Sequence, residues 1–264
     1  SMFIKNKNLF LLLPMAIVFF NTDLFAQEEQ EIEEVIVTST KKAESIQNLA
    51  LSVQALSSQD MEEAQITETE DMAELVPGVV QTPGIGAGTA IGLRGIVGAA
   101  VGANTTYSVQ NHLNGMQVNG SVFTTIGFLD IQQLEVLAGP QGTLFGRNSV
   151  GGVINATSAK PAHNSEGSLK FEFGENGQQR INYAQNFSLT DNLAARIALQ
   201  SYEQDGLIEN LHTGNMVDNR DTEDYRISLS YSLNDTTDID FVHQKHEQED
   251  HRVHFATNFC ERDV

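Results

Sequence analysis

The sequence predicts a loop-rich α+β domain followed by a run of antiparallel strands. Three observations carry this. Residues 45 to about 162 mix short strand and helix signals with many glycine turns. Beyond Pro161, apolar and polar residues alternate with a period of two in about five successive stretches. After Gln27 no run is apolar and long enough for a membrane-spanning helix, which needs roughly 20 residues.

The chain begins with a short positive region at Lys5 and Lys7 and a 12-residue apolar stretch from Leu9 to Phe20. Ala26 followed by Gln27 is a plausible cleavage point, although Leu24 is larger than a cleavage site prefers. Residues 1–26 are therefore expected to be a secretory signal peptide, and residues 27–44 a flexible leader. Glu28 to Glu34 is polar and acidic without periodicity. Val35, Ile36, Val37 and Thr38 are four β-branched residues in a row, which favours extended backbone. That segment suits either pairing with another protein's sheet edge or the first strand of the next domain.

Composition narrows the function classes. Lys and Arg number 15 against 35 Asp and Glu, so the basic face that nucleic acid requires is not expected. Cys260 is the single cysteine. It is either a loop thiol or half of a disulfide with a partner elsewhere.

Within residues 45–162 each element has a local signal. Leu49 to Leu56 alternates as a strand. Ser57 to Asp60 has capping-box spacing and starts a short helix towards Ala64. Thr67 to Glu70 has the same spacing ahead of Met72, Leu75 and Val76, and Pro77-Gly78 ends that helix. Gly84 to Gly102 is expected to be mostly loop. Asn114-Gly115, flanked by extended residues, signals a tight hairpin. Asp130 to Leu137 is expected to be a strand.

In residues 163–264 the strand signals repeat. Leu169, Phe171 and Phe173 form one apolar face; Ile181, Tyr183, Phe187 and Leu189 form the next. Leu193 to Leu199, Tyr225 to Leu233, and Ile239 with Phe241 continue it. Thr190-Asp191 and Asn234-Asp235 sit in short turns, whereas Glu203 to Asp224 is long and carries seven acids and one Arg. Alternating short and long connections suit a transmembrane barrel. A soluble sandwich shows the same alternation, and this pattern alone leaves both open.

Gly139 to Asn155, GPQGTLFGRNSVGGVIN, has five glycines and one proline in 17 residues, which signals tight turns rather than a core element. A phosphate loop would need Lys and Ser/Thr after Gly146, where Arg147-Asn148 stands. A serine elbow would need Gly where Arg147 stands. HExxH and CxxC patterns are also missing, so an enzyme is not expected.

LEVLAGPQGTLFGRNSVGGVIN, from Leu134 to Asn155, resembles the plug domain of TonB-dependent outer-membrane receptors. The likeness extends to EEVIVTSTK from Glu33, LVPGV from Leu75, LRGI from Leu93 and the hairpin at Asn114-Gly115, in the family's order. It implies an α+β plug domain followed by the first five or so strands of an outer-membrane β-barrel that is incomplete in this chain. It implies import of a scarce nutrient, a ferric siderophore first, across the outer membrane of a Gram-negative bacterium. The implied partners are TonB with its inner-membrane energising complex, outer-membrane lipid and a small ligand such as an iron complex; no resident cofactor is expected. The TonB box falls at Glu34, Val35, Ile36, Val37 and Thr38, and the turn motif at Gly139, Pro140, Gly142, Gly146, Gly151 and Gly152. Arg94, Glu135 and Arg147 are the residues expected at contacts between plug and barrel. The family often has Arg where Ala138 stands and Asp where Asn114 stands, and the first departure puts that contact set in question.

Two alternatives stand beside this reading. His243, His246, His251 and His254 fall within 12 residues and suit a haem or metal receptor, provided a loop brings them together. Five strands cannot close a barrel, so a plug-bearing fragment that does not transport is the other.

Overall fold

A computed structural model describes residues 36–37, 44–45, 52–83, 89–97, 108–118, 126–146, 148–234, 236–249 and 251. The expected signal peptide, the acidic run to Glu34, Arg147, His254 and Cys260 lie outside the described residues. Strand β1 (Ile36–Val37) pairs antiparallel with β2 (Glu44–Ser45), in a two-stranded sheet of its own.

The α+β body is built on five strands. In spatial order they are β3 (Ser52–Ser57), β9 (Ile131–Ala138), β10 (Gly152–Ser158), β7 (Val109–Leu113) and β8 (Met116–Val118). Strand β10 lies at the centre, antiparallel to β9 and parallel to β7. Val153 and Ile154, on its opposite faces, are both fully buried. This corrects the expectation that Gly139 to Asn155 holds only turns. Its last four residues begin the central strand, because β-branched side chains follow the final glycine pair.

Gly152 sits at φ 148°, and a Cβ there would run into the Leu137 carbonyl oxygen and lie 2.6 Å from Leu93 Cδ1. Gly152→Ala is therefore expected to destabilise the body by about 2–4 kcal/mol, read from the midpoint of thermal unfolding in detergent. A variant melting with the wild type would show that the strand can shift to accept the methyl group.

Helix α1 (Ser58–Glu63) starts at the expected capping box. The Ser57 hydroxyl accepts from the Asp60 N–H, and the Asp60 carboxylate accepts from the Ser57 N–H at 2.8 Å. The second expected box spans Thr67 to Glu70. Asp71, one residue further on, accepts from the N–H of Thr67 (2.7 Å), the N–H of Glu68 (2.9 Å) and the Thr67 hydroxyl. It thereby orders a 3-10 turn, Thr69–Asp71, ahead of α2 (Met72–Leu75). Met72 and Val76 from this segment pack into one core with Met61, Leu93, Leu134 and Ile154.

Within the glycine-rich stretch, residues 89–93 and 96–97 are strand. Strands β4 (Val79–Pro83), β5 (Thr89–Leu93) and β6 (Ile96–Val97) form a second, three-stranded sheet. Ala90, Ile91 and Leu93 are buried, and Gly92 lets Val97 and Val80 close over it, since a Cβ would lie 2.5 Å and 2.9 Å from their methyls. At the β7–β8 hairpin Asn114 and Gly115 both have positive φ, 51° and 75°, as a primed turn demands. The Asn114 side-chain oxygen accepts from the Ser158 N–H (2.9 Å) and hydroxyl (3.0 Å). A carboxylate would accept the same two bonds, so asparagine preserves the contact.

The second half is one antiparallel sheet: β11 (Gly167–Phe173), β12 (Gln179–Thr190), β13 (Leu193–Gln204), β16 (Arg220–Asn234) and β17 (Thr237–Gln248). A small hairpin of β14 (Ile208–Glu209) and β15 (Met216–Val217) rises from the long connection. Odd-numbered residues, among them Leu169, Phe171, Phe187, Ile227, Ile239 and Phe241, leave one face apolar and exposed. Even-numbered residues make the other face polar and largely buried: Arg180, Asn186, Gln200, Asp224 and Arg226. The two short turns, after Thr190 and after Asn234, lie at one end, and the longer connections lie at the other. Among the described residues no helix is long and apolar enough to cross a membrane. Strands with an apolar outer and a polar inner face are the other way to cross one.

Candidate functional site: the junction between the α+β body and the strand wall

Strand β9 begins where the body meets the wall, and the chain just before it makes the contact. Leu129 packs between Ala184 on β12 and Ala198 on β13, whose small side chains leave room for it. Gly127 passes so close to the wall that a Cβ would lie 2.8 Å from Gln200 Oε1. Asp130 takes a left-handed conformation, φ 46°, which aspartate tolerates better than most residues.

The Asp130 side chain enters a fork. Arg196 Nε donates to its Oδ2 at 2.7 Å, and Arg196 Nη2 donates to its Oδ1 at 2.6 Å. The pair is bidentate and mostly shielded from solvent, with side chains only 13–14% exposed. Arg196 Nη1 also donates to Asn186 Oδ1 at 3.0 Å, which fixes the guanidinium plane. Arg226, 2% exposed, reaches the same loop from β16. It donates to the carbonyls of Leu129 and Asp130, and its Nε donates to Gln244 Oε1 at 3.1 Å. Two wall arginines thus hold one carboxylate and two backbone carbonyls of the body. Lys160 with Asp240 (2.9 Å) and Lys170 with Glu62 (2.5 Å) add exposed contacts, and pairs so solvated contribute little each.

In this contact the acid stands on the body and the arginines on the wall. Of the three residues expected at the interface, Arg94 sits exposed in a turn at φ 52°, with its N–H donating to Gly78 O at 2.8 Å. Glu135 is fully buried within the five-stranded sheet, accepting from Asn155 Nδ2 at 2.9 Å. Asp130, Arg196 and Arg226 escaped the sequence reading, yet a signal existed. Two arginines at inward positions of an alternating strand require acceptors, and Asp130 ends the loop that precedes the buried strand.

The turn motif acts locally. Gly139 (φ 99°) and Gly146 (φ 78°) flank helix α3 (Gly142–Phe145), which begins two residues after Pro140. The Gly139 N–H donates to Gly151 O, and the Gly151 N–H to Ser108 O, tying β9, β10 and the start of β7 together. Of the expected TonB box, Ile36 and Val37 form β1; Glu34, Val35 and Thr38 lie outside the described residues.

The described histidines of the expected cluster, His243, His246 and His251, are not brought together. His243 and His246 are three residues apart on β17 and so point to opposite faces. His243 meets the Tyr225 hydroxyl at 3.4 Å, and His246 Nδ1 meets Asp224 Oδ1 at 2.8 Å. His251 lies beyond the strand with its N–H donating to Asn219 Oδ1. Among the described residues no group of three or more His, Cys, Asp or Glu is placed to hold a metal ion. Zinc and haemin titrations of His246→Ala are accordingly expected to match the wild type; a lost binding step would restore the ligand reading.

A compact body seated by buried arginine contacts on the polar face of an outwardly apolar sheet defines the class of plugged membrane barrels. Comparison gives the family of the body: residues 45–153 match the TonB-dependent receptor plug domain. The iron-regulated outer membrane virulence protein of Vibrio cholerae serotype O1 is 29% identical, over 71% of this chain and 30% of its own length. A ferrioxamine B receptor of Salmonella typhimurium is 31% identical over 66% of this chain and 26% of its own length. The chain thus spans about a third or less of the curated relatives it matches. Among solved structures, the ferric yersiniabactin uptake receptor FyuA from Yersinia pestis has the same fold, with TM-score 0.68, 20% identity and coverage of 74% of this chain and 31% of that one. FpvA of Pseudomonas aeruginosa bound to ferric pyoverdine matches at TM-score 0.68 and 19% identity, over 80% of this chain and 27% of that one.

Proposed function

We propose that this chain is the plug and first wall strands of a receptor that carries a scarce nutrient, a ferric siderophore first, across the outer membrane. The Asp130 clamp carries the reading. A body held to an inward-facing wall by buried, charge-assisted bonds is suited to blocking a pore, and it must be reorganised for anything to pass.

Two further features support energy coupling. The proposed box at residues 34–38 includes a strand of only two residues, which another protein's sheet edge can exchange for its own. Strand β3, the next strand along the chain, is the edge of the five-stranded sheet among the described residues and pairs with β9. Tension arriving from the N-terminal side therefore meets an edge rather than the buried centre. Plug residues 45–162 and wall residues 163–264 are the proposed division, with TonB as the partner at the box. Arg94 and Arg147 are proposed to meet parts of the wall other than β12, β13 and β16.

Relatives named for iron and for ferrioxamine B favour a ferric siderophore, while a vitamin B12 transporter of Vibrio vulnificus, 29% identical, makes cobalamin the second reading. Titrating the purified receptor in detergent with ferrioxamine B, ferric yersiniabactin, ferripyoverdine and cyanocobalamin separates them. Binding of a ferric complex is expected; binding of cyanocobalamin alone would transfer the assignment to the second reading.

A further inference from the structure

One inward-facing cation of the wall keeps two buried donors without an acceptor among the described residues. Arg180 is 4% exposed, and its Nε and Nη1 are buried without a partner. Its guanidinium lies 4.4 Å from the centre of the Tyr202 ring, a stacking contact that leaves Nε and Nη1 unused. Glu172 lies directly across the β11–β12 ladder, and its Oε2 stands 3.8 Å from Arg180 Nε. That is beyond hydrogen-bond reach, and the Glu172 side chain is 42% exposed. A buried guanidinium with idle donors is costly, so the arrangement calls for an oxyanion.

Position says where such an oxyanion comes from. Arg180, Tyr202 and Thr222 follow one another across β12, β13 and β16 on the inward face. They lie towards the end with the longer connections, whereas Asp130 is held by Arg196 and Arg226, further along the same strands. Tyr202 is fixed in turn by its hydroxyl, which donates to Gln204 Oε1 at 2.9 Å. The planar fork of arginine, backed by a ring, matches a carboxylate edge-on.

We infer that Arg180, stacked on Tyr202, is a carboxylate-binding subsite on the inward face of the wall, with Glu172 as the side chain that moves aside. The subsite belongs to the ligand's route and so rests on the receptor reading for its biological use. The transported molecule then carries at least one carboxylate free to leave its metal or its solvent.

The test uses acetate as the probe and the Arg180 side chain as the reporter. Nitrogen-15 arginine-labelled protein in micelles is titrated with acetate while the Arg180 Nε–H resonance is followed. The resonance is assigned by its loss in Arg180→Lys and, should that variant fold poorly, by its displacement in Tyr202→Leu. A saturable shift is expected, with apparent affinity raised roughly threefold in Glu172→Gln, where the competing carboxylate is gone. Absence of a saturable shift overturns the subsite, and a resonance moved by Glu172→Gln alone would assign Arg180 to Glu172 instead. A receptor that binds ferric complexes without the acetate shift keeps the proposed function and loses the subsite; the converse result keeps the subsite and loses the function.

Discussion

Asp130→Ala is expected to loosen the plug from the wall and to lower stability by about 3 kcal/mol, since it leaves the Arg196 guanidinium shielded and unpaired. Removing one partner of a shielded pair costs more than the pair itself contributes, because the remaining charge keeps its desolvation penalty. Arg226 would still hold the Leu129 and Asp130 carbonyls, so the plug should become mobile rather than leave. The expected readouts are a lower midpoint of thermal unfolding in detergent, faster proteolysis within residues 52–158, and greater entry of large antibiotics into cells. Asp130→Ala combined with Arg196→Ala should cost less than the sum of the two single changes. Full additivity would mean that the bidentate bond is not what seats the plug.

Val37→Pro is expected to reduce energised uptake to background while ligand binding stays at the wild-type level. Proline removes the backbone N–H that a sheet-edge partner would accept from, and its ring obstructs the neighbouring strand. The residue lies in a two-residue strand outside the five-stranded sheet, so its replacement should leave the plug core intact. Radioactive iron uptake measured beside equilibrium binding separates coupling from recognition. Normal uptake by the variant would remove residues 34–38 from the coupling role.

Much of this architecture was legible in the residue pattern. The capping box at Ser57 and Asp60, the Asn114-Gly115 turn and the alternation of the five wall strands each arise from interactions within a few residues. Such short-range chemistry is written into the order of side chains. The same holds for the turn glycines at 139 and 146, whose positive φ values need no distant partner.

Other features depended on residues far apart in the chain. Strand β10 was hidden behind a glycine-rich prefix, and β5 behind a glycine-rich surround; both are strands because neighbouring strands bury Ile154 and Ile91. The separation of His243 from His246 follows from strand pleating once β17 extends through both. The seat of the plug was the least legible part, because Asp130 meets Arg196 and Arg226 across 66 and 96 residues of sequence. The order of residues alone determined that there would be a loop-rich α+β body, a hairpin and a wall of alternating strands. Only the tertiary structure decided which acceptor the wall arginines found, because a charge–charge contact is specified by where two folded surfaces meet and not by any local spacing.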